Sequence, residues 1–318
     1  MSQIRSAVAP DRPTARPGRL ALLAPGQGAQ KPGMLIPWLV APDAEHQLAV
    51  WSDLCGLDLL RLGTTADADE LVDTAVTQPL IVAAGLLAFR ALCADGPLPV
   101  ETVVAGHSVG ELTAAAVAGV ISADTAIFLA AARGSAMADA CRSESTGMSA
   151  VLGGDTSIVI DVLDRLGLSA ANRNGTGHVV AAGRIEALQQ LSAVPPEGAK
   201  VVPLSVAGAF HTPFMRSAES AFAAAIDGVT VNDPWFRLLS NSDGKEVDSG
   251  ADTMAKLVSQ LTGPVRWDLC VESIGAASVT AAIELPPAGT LCGIARRELP
   301  SIARHPLKRP ADLTALPR

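Results

Sequence analysis

The 318-residue chain contains no tyrosine, and aromatic residues make up only 3% of it. Ala, Val and Leu must therefore build its interior, and a base-stacking surface of interleaved aromatic and basic side chains is excluded. Positive charge is also scarce: 24 Lys and Arg face 32 Asp and Glu, a net charge of −8. Phosphate binding wants clustered cations, so no nucleic-acid partner is expected. The five cysteines (Cys55, Cys93, Cys141, Cys270 and Cys292) are scattered and include no CxxC pair. Such an odd, dispersed set argues against a disulfide framework or a thiolate zinc site and points to reduced thiols in a cytoplasm. Long apolar runs are missing too. The longest, PLIVAAGLLAF at 79–89, ends at Arg90, too short to span a bilayer, so no membrane association is expected.

What is present is a globular composition, 49% hydrophobic. Residues 1–19 stand apart, with four arginines, one aspartate and three prolines. The prolines break any amphipathic helix, so this segment reads as a disordered leader. Beyond it, apolar β-rich runs at 20–24, 102–105, 237–240 and 279–285 alternate with Ala/Leu-rich helical stretches at 77–94, 110–120, 123–141 and 214–227. That alternation predicts a parallel sheet covered by helices. Residues 147–207 read strand, helix, strand, strand, helix, strand, with Gly/Asn-rich joints such as NRNGTG at 172–177. The predicted organisation is one large α/β domain in two segments, 20–146 and 208–300. A small βαββαβ-like domain at 147–207 lies between them, and 301–318 follow as a tail.

Within this frame, TVVA–GHSVG–ELTAAAVAGV at 102–120 supplies strand, sharp turn and helix around a single serine. The pattern G-x-S-x-G stands a hydroxyl clear of a sheet, and the glycines let neighbouring backbone pass closely. Ser108 is the candidate nucleophile, and the amide of Val109 is placed to stabilise an oxyanion. A serine needs a base. His46 reads as a surface residue, His178 opens a strand and His305 lies in the tail. His107 adjoins the serine and would project away from it. His211, in SVAGAFHTPFM, follows an apolar strand, where α/β active sites gather. GQGAQKPGM at 26–34 brings a glycine-rich loop after the first strand, with Gln27 as a second oxyanion amide. AAARGSAM at 130–137 sets Arg133 in an apolar helix face, a costly place for a cation unless an anion meets it.

Taken together, the segments resemble the malonyl-CoA:acyl carrier protein transacylases. The motifs are PGQGAQ (25–30), TQPL (77–80), AGHSVGEL (105–112), Arg133 in AARGSAM, GAFHTPFM (208–215), LSNSDG (239–244) and SQLTGPVRW (259–267). They occur in family order over roughly 20–295, and APGQG, GAFHT and PPAGTL look most like the actinobacterial type. The resemblance implies an α/β-hydrolase-like core with a parallel sheet and an inserted ferredoxin-like small subdomain. It makes Ser108 the nucleophile and His211 its base, with the backbone carbonyl near Gln260 orienting the imidazole. Gln27 and Val109 become oxyanion donors, and Arg133 grips the malonyl carboxylate. Gln78, Phe210 and His107 line the substrate pocket, Phe210 disfavouring an α-methyl group. The implied partners are malonyl-CoA and an acyl carrier protein, with no metal or cofactor. The carrier surface expected from charge is Arg296 and Arg297, with Lys308 and Arg309 beyond. Ala29 and Pro286 depart from the family pattern without touching that chemistry. Two rival readings are a serine esterase or thioesterase, with Asp155, Asp161 or Asp164 completing a triad, and an inactive carrier-docking homologue.

Overall fold

LALLA at 20–24 carries no polar side chain, and a strand of that kind must be covered on both faces. It forms β1 (Leu20–Ala24), and all five of its residues are buried. A computed structural model describes residues 19–94 and 96–316. Further strands are β2 (Val103–Gly106), β3 (Thr146–Gly153), β4 (Ser169–Arg173), β5 (His178–Arg184) and β6 (Ala199–Pro203). They are followed by β7 (Arg237–Leu239), β8 (Ala281–Glu284) and β9 (Ala303–Pro306). β1 lies at the centre of a parallel sheet ordered β7-β2-β1-β8-β9, with Leu22 opposite both Val104 and Ile283. Side chains alternate across it. Leu20, Leu22 and Val104 face the larger core, while Ala21, Leu23, Val103 and Ala105 face a second core with Trp267 and Ile294.

The helices are α1 (Ala44–Cys55), α2 (Leu59–Thr65), α3 (Thr74–Cys93), α4 (Gly110–Val117), α5 (Ala123–Cys141) and α6 (Thr156–Arg165). After them come α7 (Ile185–Ala193), α8 (Arg216–Ile226), α9 (Gly250–Ser259), α10 (Trp267–Ala276) and α11 (Thr290–Glu298). α3, α4, α5 and α8 cover one face of the large sheet, and α10 and α11 the other. α3 extends beyond the apolar run that marks it in the sequence. At 20 residues it is long and apolar enough to cross a membrane, yet 67% of its apolar window is buried inside the fold. It is the central core helix, packed against α5.

The second sheet is antiparallel, ordered β4-β5-β3-β6, with α6 and α7 closing its own apolar core of Val151, Leu163, Val179 and Leu191. This is the βαββαβ arrangement of a ferredoxin-like unit. It enters and leaves through neighbouring strands, Ser149 standing opposite Pro203. Its edge strand docks on the large unit, where Arg173 donates its amide to the Val265 carbonyl at 2.9 Å and Val265 to that of Ala171 at 2.8 Å.

Two expectations at the ends of the chain need correction. The segment expected as a tail from 301 is folded through 316: β9 pairs with β8, and Leu307 is fully buried against the large core. A short ARHP strand carries no alternation, so nothing in its sequence marks it. At the other end, Arg19 belongs with the fold, its carbonyl accepting from Thr280 N at 2.8 Å. The rest of the predicted leader lies outside the described residues.

Candidate active site

The site gathers at the carboxyl ends of β1, β2 and β7, where the crevice of an open parallel sheet lies. β2 ends at Gly106, and Ser108 takes up φ 53°, a left-handed backbone rare for a residue with a Cβ. The two glycines are steric necessities. A Cβ on Gly106 would collide with the Gly110 backbone, and one on Gly110 with the Ala24 carbonyl of the neighbouring strand. α4 starts immediately at Gly110. The Val109 and Gln27 amides, the two expected oxyanion donors, have no protein acceptor among the described residues.

His211 is a second strained position, at φ 60°. It arrives on the chain returning from the small unit, and Thr212 caps the short helix that follows. Its Nε2 lies 2.7 Å from Ser108 Oγ, and its Nδ1 lies 2.8 Å from the Gln260 carbonyl. Nδ1–H therefore donates to Gln260, leaving Nε2 as the acceptor for the serine hydroxyl. Burial, helped by the Arg133 charge, lowers the His211 pKa to about 3. The imidazole is thus held neutral.

Arg133 on α5 is 1% exposed. Nη1 donates to Gln78 Oε1 at 2.8 Å; Nη2 donates to Gln260 Oε1 at 2.8 Å and to Ser108 Oγ at 3.3 Å. Its Nε is buried with no partner among the described residues. Burial lowers its pKa to about 10, opposed by Glu111. Phe210 is buried next to the histidine. The His107 ring turns away from the serine as its position demands. Its Nε2 meets Asn174 Oδ1 of the small unit at 2.9 Å, and the ring leans on Trp267. The structure thus brings Ser108, His211, Gln260, Arg133 and Gln78 into one connected cluster. Asp155, Asp161 and Asp164 stay exposed on or beside α6, and the Nδ1 that an esterase acid would hold is occupied by Gln260.

Sequence reasoning missed three residues, Glu111, Asn174 and Asn241. Asn241 Oδ1 accepts the Ser108 amide at 2.8 Å, and its Nδ2 donates to the Gly106 carbonyl at 2.7 Å. Glu111 is buried, and that burial raises its pKa to about 8, against the Asn241 amide and the Arg133 charge. Glu111 and Asn241 lie inside motifs quoted above, but neither stands out there: Glu111 is an ordinary first-turn acid, and Asn241 sits among the polar residues of LSNSDG.

These buried groups set the pH dependence of stability. His107, lowered to about 4, and His211 bind protons on unfolding once pH falls below their ordinary 6.5. Glu111, raised from 4.5 to about 8, releases one on unfolding between those values. Two uptakes against one release leave a net uptake on unfolding that grows as pH falls from 6.5 towards 5, so stability is lost on acidification through that window. Urea titrations should show the protein less stable at pH 5.0 than at pH 6.5 by on the order of 1 kcal/mol; equal unfolding free energies would refute the assignment of two buried neutral histidines.

Residues 22–311 match the acyl transferase domain family. The chain is 56% identical over 298 residues to the malonyl CoA-acyl carrier protein transacylase of Mycobacterium tuberculosis, covering 93% of this chain and 99% of that one. The crystal structure of the M. tuberculosis protein superimposes with a TM-score of 0.89 over 93% of this chain and 99% of that chain. A malonyl-transacylase solved in complex with its type II PKS acyl-carrier protein superimposes with a TM-score of 0.87 at 31% identity, covering 93% and 98%. The fold and the serine–histidine cluster define an acyl transferase. Within that class, the chain belongs to the malonyl CoA-acyl carrier protein transacylase family.

Proposed function

We propose that this chain moves a malonyl group from malonyl-CoA to the phosphopantetheine thiol of an acyl carrier protein, through a malonyl ester on Ser108. The observation that carries the reading is the relay Ser108 Oγ–His211 Nε2 at 2.7 Å and His211 Nδ1–Gln260 O at 2.8 Å, with Arg133 reaching the same hydroxyl. A serine–histidine pair alone fits any acyl transfer. The buried guanidinium beside it supports an acyl group that carries its own carboxylate.

Ser108 Oγ attacks the thioester carbon while its proton passes to His211 Nε2. The amides of Val109 and Gln27 hold the oxyanion. As the carbonyl re-forms, the C–S bond breaks and CoA leaves with the proton from His211. The carrier thiol then gives its proton to His211 and attacks the ester, and Ser108 takes the proton back as the C–O bond breaks. A thioester is already activated, so the reading calls for no metal or cofactor. The product supplies fatty-acid or polyketide chain extension. We place the reaction in the cytoplasm, where the five free thiols stay reduced. The carrier, usually acidic, meets Arg296 and Arg297, both exposed on α11.

The test is mass spectrometry of the intact protein after incubation with malonyl-CoA, then with a holo acyl carrier protein. A malonyl adduct on Ser108 that disappears as the carrier gains it supports the reading. Hydrolysis of the adduct at the same rate without carrier would favour an esterase, and an absent adduct would sink the transferase.

Selectivity gives a second check. Phe210 is buried next to His211 in the chain, and we assign its ring the exclusion of an α-methyl group, worth about 1–3 kcal/mol. Phe210→Ser should therefore raise the methylmalonyl-to-malonyl rate ratio by about tenfold or more. An unchanged ratio would remove the steric role.

A further inference from the structure

Glu111 stands beside the reacting groups with no task in the transfer chemistry. It lies in the first turn of α4, three residues beyond Ser108, and is buried. A carboxyl group stripped of water must find hydrogen-bond partners in the protein. Its Oε1 accepts the Asn241 amide at 2.6 Å, and its Oε2 accepts Nε2–H of Gln260. Each of these residues reaches a reacting group with other atoms. Asn241 takes the Ser108 amide on Oδ1 at 2.8 Å and gives Nδ2 to the Gly106 carbonyl at 2.7 Å, clamping the strained turn on both sides of His107. Gln260 receives His211 Nδ1–H on its carbonyl at 2.8 Å and Arg133 Nη2 on its side chain at 2.8 Å.

We propose that Glu111 is a positioning residue for acyl transfer, setting the Ser108 turn through Asn241 and the His211 acceptor through Gln260. The inference rests on the transferase reading above. Its geometry requires a carboxyl group, charged or neutral, because both partners are N–H donors and only a group with two oxygens can accept from both, whereas an amide has one. Glutamine in its place turns an NH₂ group against one donor, either the Asn241 amide or the Gln260 side chain. The displaced partner then carries the turn or the imidazole with it. The remaining charged groups near this carboxylate are Arg133 on α5 and Lys256 on α9. Neither donates a hydrogen bond to it among the described residues; the Ser240 hydroxyl is a further partner, but only Asn241 and Gln260 also reach the reacting groups.

Rapid-quench measurement of Ser108 acylation in Glu111→Gln tests this. A misplacement of about 1 Å costs on the order of a hundredfold in rate, so the acylation rate constant should fall about 10- to 100-fold. The loss should be equal for malonyl-CoA and acetyl-CoA, and the malonyl-CoA half-saturation should stay within about threefold, because the nucleophile and base serve both acyl groups. A folded variant with unchanged acylation, a loss confined to malonyl-CoA, or a change in half-saturation alone would each overturn the role. If Glu111→Gln shows no cooperative melt, Asn241→Ala carries the test. It leaves the carboxylate in place and cuts its line to Ser108, and the same loss on both substrates is expected. Retained acylation there, or failure of both variants to fold, would reduce Glu111 to a structural carboxylate. Absence of any Ser108 ester in the unsubstituted chain would instead overturn the transferase reading itself.

Discussion

Malonyl transfer should fall at least about a hundredfold in Arg133→Ala, while acetyl transfer changes little or rises. A planar guanidinium offers a carboxylate two parallel hydrogen bonds, a geometry that an ammonium cannot reproduce. Charge-assisted bonds contribute about 1.5–3 kcal/mol each, and 1.4 kcal/mol is about tenfold in rate. At 1% exposure, water competes weakly for this cation. Its hydrogen bonds to Gln78 and Gln260 go to neutral amide oxygens and leave the charge uncompensated by direct contact. A malonyl carboxylate is complementary to such a group; an acetyl group leaves it unmatched. Arg133→Lys should recover only part of the loss. Steady-state rates for both acyl-CoAs under identical conditions decide the matter. Proportional losses on both would make Arg133 a structural arginine.

The larger effect belongs to Ser108. In Ser108→Ala the malonyl adduct should vanish and transfer should fall by at least about four orders of magnitude, since the residue is the covalent carrier and no partial mechanism survives. His211→Ala should slow loading and unloading alike, by about 10²- to 10⁴-fold, because one base serves both half-reactions. Peptide mapping of the adduct separates the possibilities. Labelling of a cysteine, or persistent labelling of Ser108→Ala, would refute the assignment. The thiols are poor rivals: burial pushes Cys93 and Cys141 up to about 11, so each is protonated at neutral pH.

Much of this site was legible because its residues violate local rules. A serine flanked by glycines between an apolar strand and a helix has no packing purpose, and neither does an arginine in the alanine-rich face of α5. His211 could be chosen by elimination and by its place after a strand. Glu111 and Asn241 were not legible as partners. An acidic residue in a first helical turn is ordinary, since it complements the helix dipole. Its burial arises only when Asn241 and Gln260, some 130 and 149 positions away, fold over it. Asn174 was hidden for the same reason: it sits in a turn of the small unit, and its contact with His107 exists only after the two units dock. The fold was readable wherever apolar runs alternate with helices and failed at β9, whose four residues take their place from β8 alone.

The small sheet begins and ends on adjacent strands, with Ser149 opposite Pro203. In evolutionary terms it is a cassette. Its first and last strands lie side by side, the chain entering after α5 and leaving into the His211 loop, so the strand order of the host does not depend on what is spliced between them. A graft from a distant relative should leave Ser108, His211 and Arg133 where they are, provided that two seams are kept. One is the edge of β4, which exchanges backbone bonds with Val265. The other is Asn174, which holds His107. Recombination across these joints would therefore exchange the small unit as a block while the acyl chemistry is inherited whole.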